Sequence, residues 1–164
     1  MSFQKTLGQP AASLPGDFTS ANLRGSVLAG TGALVAGPSG VTAGRFAWID
    51  ATGTFAANNG SGQPDGFVHR LFGRAVITPY LDATTNLIPG GSEVELFDRG
   101  EFWVTNAGAG QVTFGTKVYA SLADGSITFG PTGTPPGGAI ETNWFALSVG
   151  AAGELIKMSS HPEG

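Results

Sequence analysis

"KVYASLADGSITFG", residues 117–130, reads as a β-hairpin. Strands are predicted at 118–122 and 126–129, on either side of Asp124-Gly125, a pair that suits a type I′ turn. The same signature repeats along the chain. "SEVELFDRGEFWVTN" (92–106) predicts a second hairpin: Val94 and Leu96 share one face, Glu93, Glu95 and Phe97 the other, Asp98-Arg99-Gly100 make the turn, and 101–104 return. "GRFAWID" (44–50) alternates Phe46 and Trp48 with Arg45, Ala47 and Ile49. "GALVAG" (32–37), "NWFALSVG" (143–150) and "GELIKMS" (153–159) are further strand candidates. The closest approach to a helical pattern, at 67–87, is broken by Gly73 and Pro79 and carries β-branched Val76, Ile77 and Thr78, which favour a strand.

Composition agrees. Twenty-seven glycines and 10 prolines in 164 residues are dispersed rather than clustered, as in an all-β chain with many turns. The expected architecture is one antiparallel β-sandwich or barrel, jelly-roll-like, over residues 26–164, with long loops near 51–66 and 130–142. Apolar content of 41% is ordinary, but charged residues make up only 12%, about half the usual share. Such a surface suits partial burial against another protein. A net charge of −4 without a basic stretch disfavours nucleic acid. No run of about 18 apolar residues is present to span a membrane. The N-terminal residues lack the pattern of a signal peptide. Cysteine is absent, so disulfides and thiol chemistry are excluded.

Catalytic chemistry needs convergent titratable groups, and few are present. His161 lies near the end of the chain. His69, in "GFVHR", has no metal-spaced companion and reads as a hydrogen-bonded side chain on a strand face. Glu93 and Glu95 read as a solvated face rather than a glycosidase pair. "GTGALVAG" (30–37) has Val35 at the third glycine position of a dinucleotide fingerprint and no strand–helix context. "DATGTFAANNGSG" (50–62) lacks calcium-loop spacing. No catalytic residue, cofactor or metal is expected. Most of the three tryptophans and eleven phenylalanines belong to a core, but Phe3, Phe18 and Phe55 lie in irregular segments and are candidates to meet a partner.

"PGDFTSANLRG", "GALVAGPSGVTAGRFAWID", "GFVHR", "ITPYL", "IPGGSEVELFDRGEFWV" and "GTKVYASLADGSITF", in that order over most of residues 10–130, resemble the structural cement, or head-decoration, proteins of tailed bacteriophages. Two positions depart from the pattern: Leu23 stands where proline is expected, and "LFG" follows His69-Arg70. The resemblance implies a non-enzymatic protein, made in the host bacterial cytoplasm, on the outer surface of a phage head. There it would staple neighbouring major capsid subunits against internal DNA pressure. It also implies a small symmetric oligomer, a homotrimer by preference and a homodimer as the alternative. On this basis residues 1–25 are an extended arm, kept open by prolines, with Phe3, Leu14, Phe18, Leu23, Arg24, Phe55, His69 and Arg70 as partner-contacting candidates. The alternative is an arm folded back to cover a sheet edge of its own domain. A lectin-like carbohydrate-binding sandwich is the rival function.

Overall fold

The computed structural model describes residues 13–71 and 86–161. No helix forms among them, as expected where glycine and proline interrupt every stretch long enough to propagate one. The strands are short. β1 (Gly25–Ser26), β2 (Val35–Ala36), β3 (Val41–Thr42), β4 (Phe46–Ile49), β5 (Phe55–Ala57) and β6 (Gly66–Val68) come first. β7 (Leu87–Ile88), β8 (Leu96–Arg99), β9 (Glu101–Thr105), β10 (Lys117–Ser121), β11 (Ile127–Gly130), β12 (Ala139–Ala146) and β13 (Leu155–Ser159) follow. They build a six-stranded sheet, β1-β8-β6-β4-β5-β2, a five-stranded sheet, β11-β10-β12-β13-β9, and a β3-β7 ribbon. The fold is an all-β sandwich and not a closed barrel.

Its core has two parts, and β4 belongs to both. Phe46 and Trp48 join Phe67 and Phe97 of the six-stranded sheet and Phe102, Trp144, Ile156 and Met158 of the five-stranded sheet in the first cluster. Aromatic rings mesh across this interface, for example Phe46 on Trp144 edge-to-face at 6.1 Å and Phe67 on Phe102 at 4.7 Å. On the other side of β4, Ala47 packs with Ala36, Ala56, Val68 and Leu96, together with Val41 and Ile88 of the ribbon. Small side chains let the ribbon lie close. The alternation in "GRFAWID" therefore places large rings between the sheets and alanine beneath the ribbon.

The hairpin at 117–130 forms as β10 and β11, antiparallel from Lys117↔Gly130 to Ala120↔Ile127. Its loop has four residues, 122–125, rather than the two of a type I′ turn, since Ser121 N–H donates to the Ser126 carbonyl. Gly125, at φ +66°, holds the left-handed position, and its carbonyl accepts from Phe46 N–H. A Cβ there would run into the Phe46 carbonyl oxygen.

Other expectations are corrected. Residues 92–106 do not form a hairpin: β8 pairs with β1 and β6, whereas β9 pairs with β13. At Gly100, with φ +141°, the chain passes from one sheet to the other, so that Phe97 and Phe102 face each other across the core at 5.5 Å. Pairing is not wholly antiparallel, because β2 runs parallel to β5. The stretch 51–66 contains β5, and the second long loop narrows to 131–138. The strand expected around Val76, Ile77 and Thr78 lies outside the described residues.

Candidate interaction surface

Residues 14–26 lie along the molecule's own sheets. Gly16 N–H donates to the Trp103 carbonyl at 2.8 Å, Trp103 N–H to Asp17 at 2.9 Å and Thr19 N–H to Glu101 at 3.0 Å. This short ladder, with the bridge Phe18↔Phe102, pairs the open edge of β9. Arg70 N–H donates back to the Gly16 carbonyl at 3.1 Å, tying the segment to the other sheet as well. The local chain is set by Asp17, whose carboxylate accepts from Leu14 N–H and Ser13 Oγ. That is the turn an aspartate supplies after proline and glycine.

Four of the sequence candidates converge here. The Phe18 ring stacks on His69 at 4.1 Å and packs on Phe102 at 4.9 Å and Phe97 at 5.3 Å. The Arg24 guanidinium sits over Phe18, 3.8 Å from its centroid, a cation–π contact. Arg70 reaches Asp17 Oδ1 at 3.4 Å. Burial pushes the His69 ring below its ordinary pKa; Asp17 opposes this, and Arg24 and Arg70 add to it. Nδ1 lies 3.6 Å from Glu95 Oε2, beyond hydrogen-bond distance. At neutral pH His69 is therefore an uncharged ring on the aromatic stack, and the Glu95 contact is not an ion pair. The stack is a packing unit with charged edges.

The remaining candidates separate from this cluster. Leu14 is half-buried beside Asp17. Leu23 is 80% exposed, though its carbonyl meets His161 Nε2 at 2.9 Å. Phe55, 44% exposed, sits on β5, four strands from the β1 edge, by a shallow groove that also has Pro38, Asp50 and Asn59 in its walls. The Asp50 carboxylate there serves the turn: it accepts from Thr52 Oγ1, Thr54 N–H and Phe55 N–H, which together bring its pKa down to about 2. Trp48 and Trp144 are only 7% and 5% exposed and offer no stacking platform. Phe3 lies outside the described residues.

Four exposed groups escaped the sequence reading. Leu28 is 95% exposed, Phe114 and Val149 58% each, and Leu87 38%. In "GSVLAG" either Val27 or Leu28 can face inward, and only the pairing of Val27 N–H with Leu96 decides it. Among the described residues no three His, Asp or Glu side chains gather to hold a metal, and no helix is long and apolar enough to cross a membrane.

An all-β sandwich with large apolar groups left uncovered presents a surface suited to contact with other proteins. Comparison with known families agrees, placing the chain among the structural proteins of phage capsids. It belongs to the XM1 gp53 minor capsid protein family, whose model matches residues 3–160. Among solved structures, a chain of the capsid of Myoviridae Phage XM1 shares the fold, with a TM-score of 0.68 and 20% identity over 98% of both chains. The curated proteins give no match.

Proposed function

We propose that this capsid protein acts as cement on the outer face of the phage head. It binds the major capsid protein and staples neighbouring subunits of the assembled shell. The observation that carries this reading is the set of uncovered apolar side chains, Leu23, Leu28, Phe55 and Phe114, on a capsid-family chain with few charges. Burying one such side chain contributes about 1.5–3 kcal/mol, so two or three per copy give useful affinity once ordering costs are subtracted.

Contacts to the shell are assigned to Phe55 with its groove and to the arm through Phe3, Leu14, Leu23 and Arg24. Phe18, His69 and Arg70 act beneath them, fixing the course of the arm. A symmetric oligomer of such copies, a trimer or a dimer, gains roughly 10²–10⁴-fold in avidity over a single contact.

Co-sedimentation with expanded heads lacking the protein tests the proposal. Saturable binding in a ratio tied to shell symmetry is expected, weakened at least tenfold by Phe55→Asp. Absence of binding to a matching shell overturns it.

A further inference from the structure

Asn59-Gly60 is the only Asn-Gly pair in the chain, and the fold treats Asn58 and Asn59 in opposite ways. The Asn58 amide is fully engaged. Its Oδ1 accepts from Thr42 N–H at 2.6 Å, and its Nδ2 donates to the Phe46 carbonyl at 2.9 Å. Asn59 is exposed, and its amide meets no hydrogen-bond partner among the described residues.

The residue that follows decides what such a free amide can undergo. The backbone nitrogen of the next residue can attack an asparagine side chain, and a Cβ on that next residue obstructs the approach. Gly60 has no Cβ. The other asparagines precede Leu23, Asn59, Leu87, Ala107 and Trp144, all of which carry one. Glycine is required at 60 by packing rather than by a positive φ, since a Cβ there would fall on the Trp48 ring. The fold therefore cannot replace it with a residue that would slow the reaction.

The same packing holds the reaction back. Gly60 N–H donates to the Leu122 carbonyl at 3.0 Å, and Trp48 Nε1–H donates to the Gly62 carbonyl at 3.1 Å. These bonds pin the peptide plane of Gly60. Its nitrogen must leave Leu122 before it can turn toward the Asn59 side chain.

We infer that Asn59 is a site of spontaneous deamidation, gated by opening of the Gly60–Leu122 hydrogen bond. The Gly60 nitrogen gives its proton to solvent base and bonds to Asn59 Cγ. The Cγ–Nδ2 bond breaks and ammonia leaves. Solvent water then opens the resulting succinimide at one of its two carbonyls, giving aspartate or isoaspartate at position 59. Water is the only co-reactant, and nothing is oxidised or reduced.

The product changes the groove beside Phe55, where Asn59 and Asp50 share the wall. The Asp50 carboxylate is already ionised there, so a second negative charge enters. Isoaspartate also routes the main chain through Cγ and lengthens it by one carbon. Gly60 then cannot keep its places on both Trp48 and Leu122. On the cement reading, in which Phe55 meets the shell, modified copies bind heads more weakly.

The site is tested without heads, by peptide mapping of protein aged in mildly alkaline buffer, folded and in urea. Asn59 is expected to be the first asparagine to convert. Its conversion is expected to be roughly tenfold or more slower in the folded chain, in step with the protection of Gly60 N–H from exchange. Asn59→Gln should abolish the modification and leave Tm unchanged. Equal rates folded and in urea overturn the inference, as does an Asn59 that survives in urea or another asparagine that converts first. In co-sedimentation Asn59→Asp is expected to bind heads roughly threefold or more weakly, with the gap closing at high salt. Equal binding would overturn the link to the groove. A parent chain that binds no head would remove the cement reading and leave the modification site standing.

Discussion

Replacing Phe18 by alanine separates the arm from the sandwich at its main point of attachment. The ring touches His69, Phe97 and Phe102 and carries Arg24 on its other face. Truncating a fully buried phenylalanine costs about 3–5 kcal/mol. Phe18 is half-buried, which takes roughly half of that. The aromatic contacts are part of that truncation cost and not an addition to it; they place it at the upper end, about 2–3 kcal/mol. For a domain of this length that is a fall in Tm of roughly 4–12 °C. Tryptophan fluorescence reports it directly, since Trp103 exchanges backbone hydrogen bonds with Gly16 and Asp17. Limited proteolysis of the same variant should cut first within residues 13–25, while the β10–β11 hairpin stays intact. A Tm within about 2 °C of the parent, with residues 13–25 still protected, would refute the reasoning that Phe18 holds the arm.

Three further outcomes follow from the geometry. The folded-state pKa of His69 lies below its unfolded value of about 6.5, so its neutral form stabilises the fold above that pH. This contribution is lost as pH falls through the folded value; Tm measured from pH 7.5 to 5 should decline, and His69→Gln should flatten the decline. Gly125→Ala places a methyl against the Phe46 carbonyl at a φ of +66°; denaturant unfolding should show a loss of roughly 2–4 kcal/mol, whereas Gly133→Ala, strained at φ +78° but facing open space, should lose about 1 kcal/mol. The Tyr119 hydroxyl holds the 131–138 loop through Pro131, Thr134 N–H and Glu141; Tyr119→Phe should cost about 1–3 kcal/mol and speed amide exchange at Thr134.

The sequence was informative where a local pattern and a local partner coincide. Tyr119 and its neighbours alternate up to a glycine turn and pair with the strand that follows, so the β10–β11 hairpin was visible from residues 117–130 alone. β4 was equally clear, because period-two alternation fixes which side chains share a face. Alternation does not say which sheet a strand joins. Residues 93–104 carry two good strands around Asp98-Arg99-Gly100, yet Gly100 is held by Ser160 on both sides, its N–H donating to Ser160 Oγ and its carbonyl accepting from Ser160 N–H. The end of β13 thereby turns a would-be hairpin into a crossing between sheets. The parallel β2–β5 pair depends on contacts equally remote in sequence.

The interaction surface was legible in part for a similar reason. Phe18, Arg24, His69 and Arg70 stood out by residue type, and the fold gathers them into one cluster. Composition could not distinguish a ring that packs on its own core from one that waits in solvent. Phe18 does the former and Phe55 is left largely uncovered. Leu28 gave no signal at all, since a leucine beside a valine in a glycine-rich stretch shows its side only when the strand has a partner.

The central claim is that this capsid protein strengthens the shell from outside. Its most direct test is the temperature at which expanded heads lacking the protein come apart, measured by light scattering before and after saturation with it. A clear rise in disruption temperature that levels off at saturation, and that Phe55→Asp abolishes at the same added concentration, is the outcome the account requires. Heads that bind the protein to saturation yet fail at an unchanged temperature would contradict it.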